Sequence, residues 1–321
     1  MKSPRRYPII FNPKARSQRG ERVLRFIMKH ANRFAIYATN SAEESRKLAK
    51  HFADNGEPVV IAAGGDGTLH EVVRGLTGSQ TMLGVLPAGT MNVFAREMGI
   101  PSSSLERAFE VIENGFTREV DLFEANGIPF VQMAGIGFDA MVIEETSWES
   151  KKMLGPLAYL LAAVRVLGEK PPQMRVTLAD GRVIQGVAVL TGNGSLYGGP
   201  FPLFRMADNH DSKLDVLVYK EAGYRLVLDS LRGLALGGVD LMDSVEYFQT
   251  ESFTVEADRE VPFEVDGELA GRFSEIRFVQ TTNHLRVLAP ENHAIHRPAE
   301  KSNSWFAWPR RQPEPESTRS A

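Results

Sequence analysis

Three glycines and one acid, Gly64-Gly65-Asp66-Gly67-Thr68, stand between a β-rich run, Pro58 to Ala63, and a helical pattern, Leu69 to Leu76. Glycine tolerates positive φ and lets backbone N–H groups approach an anion, and a following helix N-terminus adds positive dipole character. The chemistry this suits is phosphate binding. A plain strand-to-helix turn explains one glycine but not three with an acid. Neither common phosphate fingerprint is present: the GxxxxGK[ST] lysine is missing, and His70 stands where GxGxxG has its third glycine. A Walker-type ATPase and an ordinary dinucleotide site are both disfavoured.

Other polar residues read blandly by themselves. Asn12 before Pro13 is an Asx-turn candidate, and Thr39 a strand-end or cap residue. Asp208 to Lys213 reads as an acidic turn before a strand, and Asp266-Gly267-Glu268 as a hairpin turn. His70 and His210 stand alone in sequence, and the close pair His293 and His296 lies near the C-terminus. Each is expected to serve packing or the surface.

The elements that must position these residues follow two rhythms. Strands at Tyr7 to Asn12, Phe34 to Ala38, Pro58 to Ala63 and Met82 to Leu86 alternate with helices at Gly20 to His30, Ala42 to Asn55, Leu69 to Leu76, Asn92 to Met98 and Leu105 to Glu113. Ser41 followed by Glu44 forms a capping box. Such alternation implies a parallel sheet covered on both faces. After about Asp121 the chain turns strand-rich: Val120 to Ala125, Pro129 to Ala134, Met174 to Leu178, Val183 to Thr191, Leu214 to Tyr219, Phe253 to Glu256, Val261 to Val265, Ile276 to Val279 and Leu285 to Leu288. Asn126-Gly127 and Asp180-Gly181 are hairpin signals. The second part is therefore expected to be an antiparallel, sandwich-like domain with helices near Ala140 to Leu167 and Tyr224 to Leu236. The expected division is an α/β domain over 1–122, a β-rich domain over 123–290 whose last strand returns to the first domain, and a disordered, Pro-rich tail over 291–321. In that tail Trp305, Phe306 and Trp308 are candidates for insertion at a membrane interface.

With 43 % hydrophobic and 24 % charged residues, the chain of 321 fits a globular protein and excludes collagenous, coiled-coil and wholly disordered classes. It has no cysteine, which removes disulfides, cysteine nucleophiles and Cys-based zinc sites. The best apolar run, Met153 to Leu167, is short for a bilayer span and contains Arg165. It reads as a buried core helix ahead of an acyl pocket wall. Tyr7 to Phe11 is too short for a signal-peptide core, so a cytoplasmic protein is expected. Residues 1–40 hold ten Lys and Arg against one acid, Glu21, in a chain of net charge −3. Such a basic segment suits polyphosphate, an anionic membrane surface or nucleic acid, and equally the solvated helix faces around Arg16 to Arg33. No nucleic-acid motif accompanies it, and nucleic acid is not expected as a partner.

Three segments of the first half, Phe11-Asn12-Pro13-Lys14-Ala15, Gly64 to Glu71 and Leu86-Pro87-Ala88-Gly89-Thr90-Met91-Asn92, resemble the diacylglycerol kinase catalytic-domain family. The likeness is to its soluble bacterial lipid kinases in particular, which are similar to eukaryotic diacylglycerol and sphingosine kinases. It continues through Ala134-Gly135-Ile136-Gly137-Phe138-Asp139, the region from Tyr197-Gly198-Gly199 to Leu214-Asp215-Val216, and Val265-Asp266-Gly267-Glu268.

The resemblance implies an α/β nucleotide-binding domain of NAD kinase and phosphofructokinase type plus a β-sandwich-like domain, with ATP in the cleft between them. It places Asn12, Thr39, Gly64, Gly65, Asp66, Gly67, Thr68, Glu71, Gly89, Thr90 and Asn92 at the nucleotide. It implies a magnesium ion held by the Asp211 carboxylate and the carbonyls of Asp208 and Lys213, an oxygen set suited to Mg2+. It makes Asp66 catalytic and gives deprotonation of the acceptor hydroxyl to Asp266 or Glu268, which the sequence does not separate. The implied activity is transfer of the γ-phosphoryl group of ATP to a lipid hydroxyl, diacylglycerol-like or sphingoid-like, by an enzyme in peripheral contact with the inner face of the membrane. A homodimer is left open.

Two departures stand out. Many relatives have Gly-Thr-x-Asn-Asp where this chain ends in Val93, so either the acceptor lipid differs from diacylglycerol or its headgroup is held elsewhere. The usual Asp-Gly pair is Asp211-Ser212 here, which puts that turn's shape in question. A NAD kinase-like enzyme is an alternative, opposed by the Asn12-Pro13 and Thr90-x-Asn92 segments. A catalytically silent lipid-binding protein is another, opposed by the acids retained at Asp66, Asp211, Asp266 and Glu268.

Overall fold

The computed structural model describes residues 6–13, 18–137, 140, 170–221 and 244–291. The expected helices near Ala140 to Leu167 and Tyr224 to Leu236, the Met153 to Leu167 run and the tail beyond 291 lie outside the described residues.

The first half alternates as its pattern requires: β1 (Tyr7–Phe11), α1 (Gln18–Lys29), β2 (Phe34–Ala38), α2 (Ala42–Asp54), β3 (Val59–Gly64), α3 (Asp66–Leu76), β4 (Met82–Pro87), α4 (Val93–Glu97) and α5 (Leu105–Asn114). β2, β1, β3 and β4 lie side by side in that order, all parallel. Order reverses between β1 and β3, and ligands of open α/β sheets sit beyond the carboxyl ends of the strands at such a switch point. Asn12 follows the end of β1, and the glycine turn follows β3. α2 begins at the expected cap: Ser41 Oγ accepts from Glu44 N–H at 3.2 Å, and Glu44 Oε2 accepts from Asn40 N–H at 2.7 Å.

The strand-rich half continues with β5 (Thr117–Ala125), β6 (Ile128–Phe130), β7 (Met133–Ile136), β8 (Met174–Leu178), β9 (Val183–Gly186), β10 (Ala188–Gly192), β11 (Leu196–Tyr197), β12 (Phe201–Pro202), β13 (Leu214–Tyr219), β14 (Val245–Thr250), β15 (Ser252–Val265) and β16 (Glu268–Leu288). Four of the expected strands are really two. β15 and β16 each run through a bulge, at Glu256/Val261 and Gln280/His284, where the alternation breaks and the sequence pattern reads as an interruption. β14 was not expected, and Pro129 to Ala134 and Val183 to Thr191 each divide in two.

β16 joins the halves. Its end pairs in parallel with β4 at Val287 and Leu83, and its length pairs antiparallel with β15 and β5. One core packs the parallel sheet against its helices and includes Val120, Leu122, Leu285 and Leu288; a second, in the antiparallel part, includes Phe123, Phe130, Phe263 and Phe278. β5 and β16 thus feed both cores. The Asn126-Gly127 hairpin forms as expected, with φ of 50° and 77°, and Asp266-Gly267 repeats it with 48° and 84°. Both are turns in which two central residues of positive φ match the twist of the strands.

Candidate active site

Gly64 closes β3, Gly65 is the cap residue and Asp66 opens α3, so the glycine turn is the first turn of a helix rather than a loop before it. α3 begins three residues earlier than its apolar pattern indicates. The first N–H groups of a helix have no partner within it, which makes this start an anion-binding surface. Opposite it lies the Gly89 turn. A Cβ at Gly89 would stand 2.5 Å from the Gly65 Cα, so glycine is required for the two turns to meet.

Asp66 ties them together. Its Oδ1 accepts from Val93 N–H at 2.7 Å. Burial pushes its carboxyl above the ordinary aspartate range, against the Val93 and Asn92 N–H donors, and the Asp266 charge adds to the rise. Asn92, at φ 48°, folds its side chain back on Gly89, accepting from its N–H at 2.8 Å and donating to its carbonyl at 2.9 Å. It shapes the turn. Thr90 is exposed and, with Gly89, Arg22, Arg96 and Ser103, lines a cavity of about 270 Å³.

Two expected nucleotide residues have partners within the first half. Thr39 is fully buried, its hydroxyl 2.9 Å from Ser45 Oγ and donating to the Phe11 carbonyl at 3.4 Å. Glu71 accepts from Arg74 at 3.0 Å and lies 3.7 Å from Arg46 of α2.

The two acids of the β15–β16 turn part company. Asp266 is 7 % exposed and accepts from the N–H groups of Val131 (3.1 Å), Gln132 (2.9 Å) and Met133 (3.1 Å), with His70 Nδ1 at 2.9 Å. Each carboxylate oxygen thereby has two partners. Glu268, two residues on, is exposed and lies over the phosphate-type turn: a Cβ at Gly67 would stand 2.6 Å from its Oε1. His70, expected to serve packing or the surface, is buried and bridges to Asp266.

The acidic turn lies against β5. Asp208 O accepts from Asp211 N–H at 3.1 Å, and Asp211 Oδ1 accepts from Lys213 N–H at 3.0 Å. Burial raises the Asp211 carboxyl above its ordinary value, the Lys213 N–H opposes this, and the Asp208 and Asp121 charges add to it. Ser212 takes φ 62°, the conformation glycine would supply, so the turn keeps that shape without glycine. Its N–H donates to Asp121 Oδ2 at 2.6 Å.

Three residues that sequence reasoning passed over organise the cleft. Glu97, 7 % exposed on α4, accepts from Ser195 Oγ (3.0 Å), Leu196 N–H (2.9 Å) and Gln132 Nε2 (3.1 Å), binding the first half to the second. Asn193 Nδ2 donates to the carbonyls of Asp121 and Val131. Asp121, fully buried, meets His284 Nδ1 at 3.0 Å. A charge in an apolar strand, Val120-Asp121-Leu122, was its available signal. Glu97 looks like any exposed helical acid.

Residues 6–125 match the model of the diacylglycerol kinase catalytic domain, and residues 132–289 that of the YegS C-terminal NAD kinase beta sandwich-like domain. A diacylglycerol kinase of Bacillus subtilis is 31 % identical over 81 % of this chain and 87 % of its own. The chain belongs to the diacylglycerol kinase family. A YegS-like lipid kinase of Chromohalobacter salexigens is 29 % identical over 84 % of this chain and 88 % of its own. A crystal structure of a diacylglycerol kinase from Bacillus anthracis superposes with a TM-score of 0.71 at 26 % identity, covering 91 % of this chain and 99 % of that one. An NAD kinase from Archaeoglobus fulgidus, solved with ATP, shares the fold at 10 % identity and a TM-score of 0.50. The family is one of lipid kinases, and both expected domains, the parallel α/β and the β-sandwich-like, are those of its members.

Proposed function

We propose that this lipid kinase uses ATP and Mg2+ to phosphorylate a lipid hydroxyl, diacylglycerol-like or sphingoid-like, with Glu268 as the base. The observation that supports this most is the seating of the Glu268 carboxylate over Gly67 while Asp266 is saturated with donors. An alcohol is a weak nucleophile at neutral pH; a carboxylate within reach orients it and takes its proton as the new O–P bond forms and the bond to the leaving diphosphate breaks.

The residues fit a nucleoside triphosphate. The start of α3 offers backbone donors, the close approach of Gly65 and Gly89 brings the two turns together beside it, and Arg22 and Arg96 put positive charge on the cavity wall. Asp66 positions both turns about that space. Asp211 with the carbonyls of Asp208 and Lys213 is a hard-oxygen set that fits magnesium, and Ser212 preserves its turn. A bound Mg2+ supplies charge that neutralises phosphate oxygens.

Val93 keeps only its backbone role, donating to Asp66, so acceptor contacts fall to other groups. No helix among the described residues is long and apolar enough to cross a membrane. A bilayer-borne acceptor hydroxyl is reached, in this reading, by peripheral contact at the inner membrane face.

The test is incubation of the purified chain with γ-labelled ATP and a total lipid extract. A labelled lipid phosphate monoester, lost in a folded Glu268→Gln variant, is the expected result. Label entering NAD instead would replace the reading with a NAD kinase activity, and no transfer to any acceptor would replace it with a silent lipid-binding protein.

A further inference from the structure

We propose that Asp121, His210 and His284 bind a borderline transition-metal dication of the zinc type, through side chains other than those assigned to magnesium. Their ligand atoms all lie within 4.8 Å of one another. They come from three elements: Asp121 from β5, His210 from the turn before β13, and His284 from β16 just past its bulge.

The three are held in place by backbone bonds. Asp121 and His284 are direct cross-strand partners. The turn is pinned to β5 on both sides of His210: Asp121 N–H donates to Asn209 O at 2.8 Å, and Ser212 N–H to Asp121 Oδ2 at 2.6 Å. The His210 and His284 rings are consequently 5.9 Å apart between centroids. With metal bonds of about 2.0–2.1 Å, tetrahedral ligands stand roughly 3.4 Å apart. Rotation of two exposed imidazoles closes the difference, while the carboxylate stays fixed.

Charge and ligand chemistry choose the ion. Asp121 is fully buried, and among the described residues its one ion-pair partner is His284. Buried charges are paired or coordinate metals. Two imidazoles and one carboxylate suit Zn2+ and its neighbours, with a fourth position open to water on the exposed side. Magnesium, which prefers oxygen ligands in an octahedron, is a poor fit. Gln280 Nε2, donating to Asp121 Oδ1 at 3.3 Å, and Ser212 N–H supply the outer support that orients a ligating carboxylate. A bound ion would cross-link the acidic turn to the β5–β16 pair.

The full chain, stripped with chelator, is titrated calorimetrically with ZnCl2 in excess MgCl2. One zinc per chain is expected at this site, with a rise in melting temperature. His210→Ala and His284→Ala, both at exposed side chains, should each weaken it at least roughly 100-fold, beyond the 10- to 100-fold that outer-shell changes cost. Asp211→Ala should change it less than about tenfold, the loss of one neighbouring charge. Zinc binding that survives both single histidine variants overturns the proposal. So does binding abolished by Asp211→Ala, which would put the ion on the acidic turn, or by His293→Ala with His296→Ala, which would put it on the C-terminal pair.

Discussion

His70 Nδ1 and Asp266 Oδ2 lie 2.9 Å apart, across 196 residues of sequence and across the two halves of the chain. His70 belongs to α3, whose first turn is the phosphate-type turn, and Asp266 to the hairpin that carries Glu268. The bridge fixes the hairpin over α3. It also completes the set of four donors around the Asp266 carboxylate.

Asp266→Asn is therefore expected to act on the fold first. An amide at this position presents N–H groups toward the N–H donors of residues 131–133, and breaking such a buried charge network costs about 3 kcal/mol or more. The melting temperature should fall along with turnover. A variant that loses turnover while melting like the parent would return Asp266 to the chemistry.

Glu268→Gln is expected to do the reverse. The side chain is exposed, so its stability cost should be within about 0.5 kcal/mol. Turnover should drop roughly 10²- to 10⁴-fold, the range for loss of a general base. ATP affinity should barely change, because the cavity at the Gly89 turn belongs to the first half. Full turnover in this variant would remove Glu268 as base.

The glycine turn, the alternation of the first half and the hairpin pairs were legible because each is a local device: a helix start bare of side chains, a periodicity, a positive φ. The separation of Asp266 from Glu268 was not, since it depends on N–H groups of Val131, Gln132 and Met133 brought in by β7. Thr39 shows the converse: a hydroxyl at a strand end looks available until Ser45 of α2 folds over it. His210 and His284 are 74 positions apart and become neighbours only through the β5–β16 register and the bonds of Asn209 and Ser212 to Asp121. Long-range pairing leaves no spacing to read.

Glu97→Ala should uncouple the halves. It leaves Ser195 Oγ, Leu196 N–H and Gln132 Nε2 without the acceptor that joins α4 to the strand-rich part. Gln132 Nε2 keeps the Leu196 carbonyl at 2.9 Å, but the two donors left orphaned, Ser195 Oγ and Leu196 N–H, cost about 1–3 kcal/mol each where water cannot replace the acceptor. Denaturant unfolding should show a loss of at least about 2 kcal/mol, and turnover should fall because the Gly89 turn and the Glu268 hairpin lie on opposite sides of the joint. Unchanged unfolding would mean that this contact does not hold the cleft.

Asp215 gives a pH prediction. Burial lifts its carboxyl to about 6, opposed by hydrogen bonds from Tyr247 OH and Gln249 Nε2 and helped by the Asp211 charge. Because the folded value lies above the ordinary 3.8, the protonated form favours folding. That contribution is complete below the unfolded value and disappears as pH rises through about 6. Lowering pH from 7.5 to 5 should stabilise the parent relative to Asp215→Asn by about 1 kcal/mol, one pH unit past the folded value. Taking the difference between the two proteins cancels most of the titration of Asp66, while the part of the Asp211 titration that is coupled to Asp215 stays within the difference. Urea unfolding at both pH values measures it, and a parent–variant difference that does not change with pH would place the Asp215 carboxyl in the ordinary range.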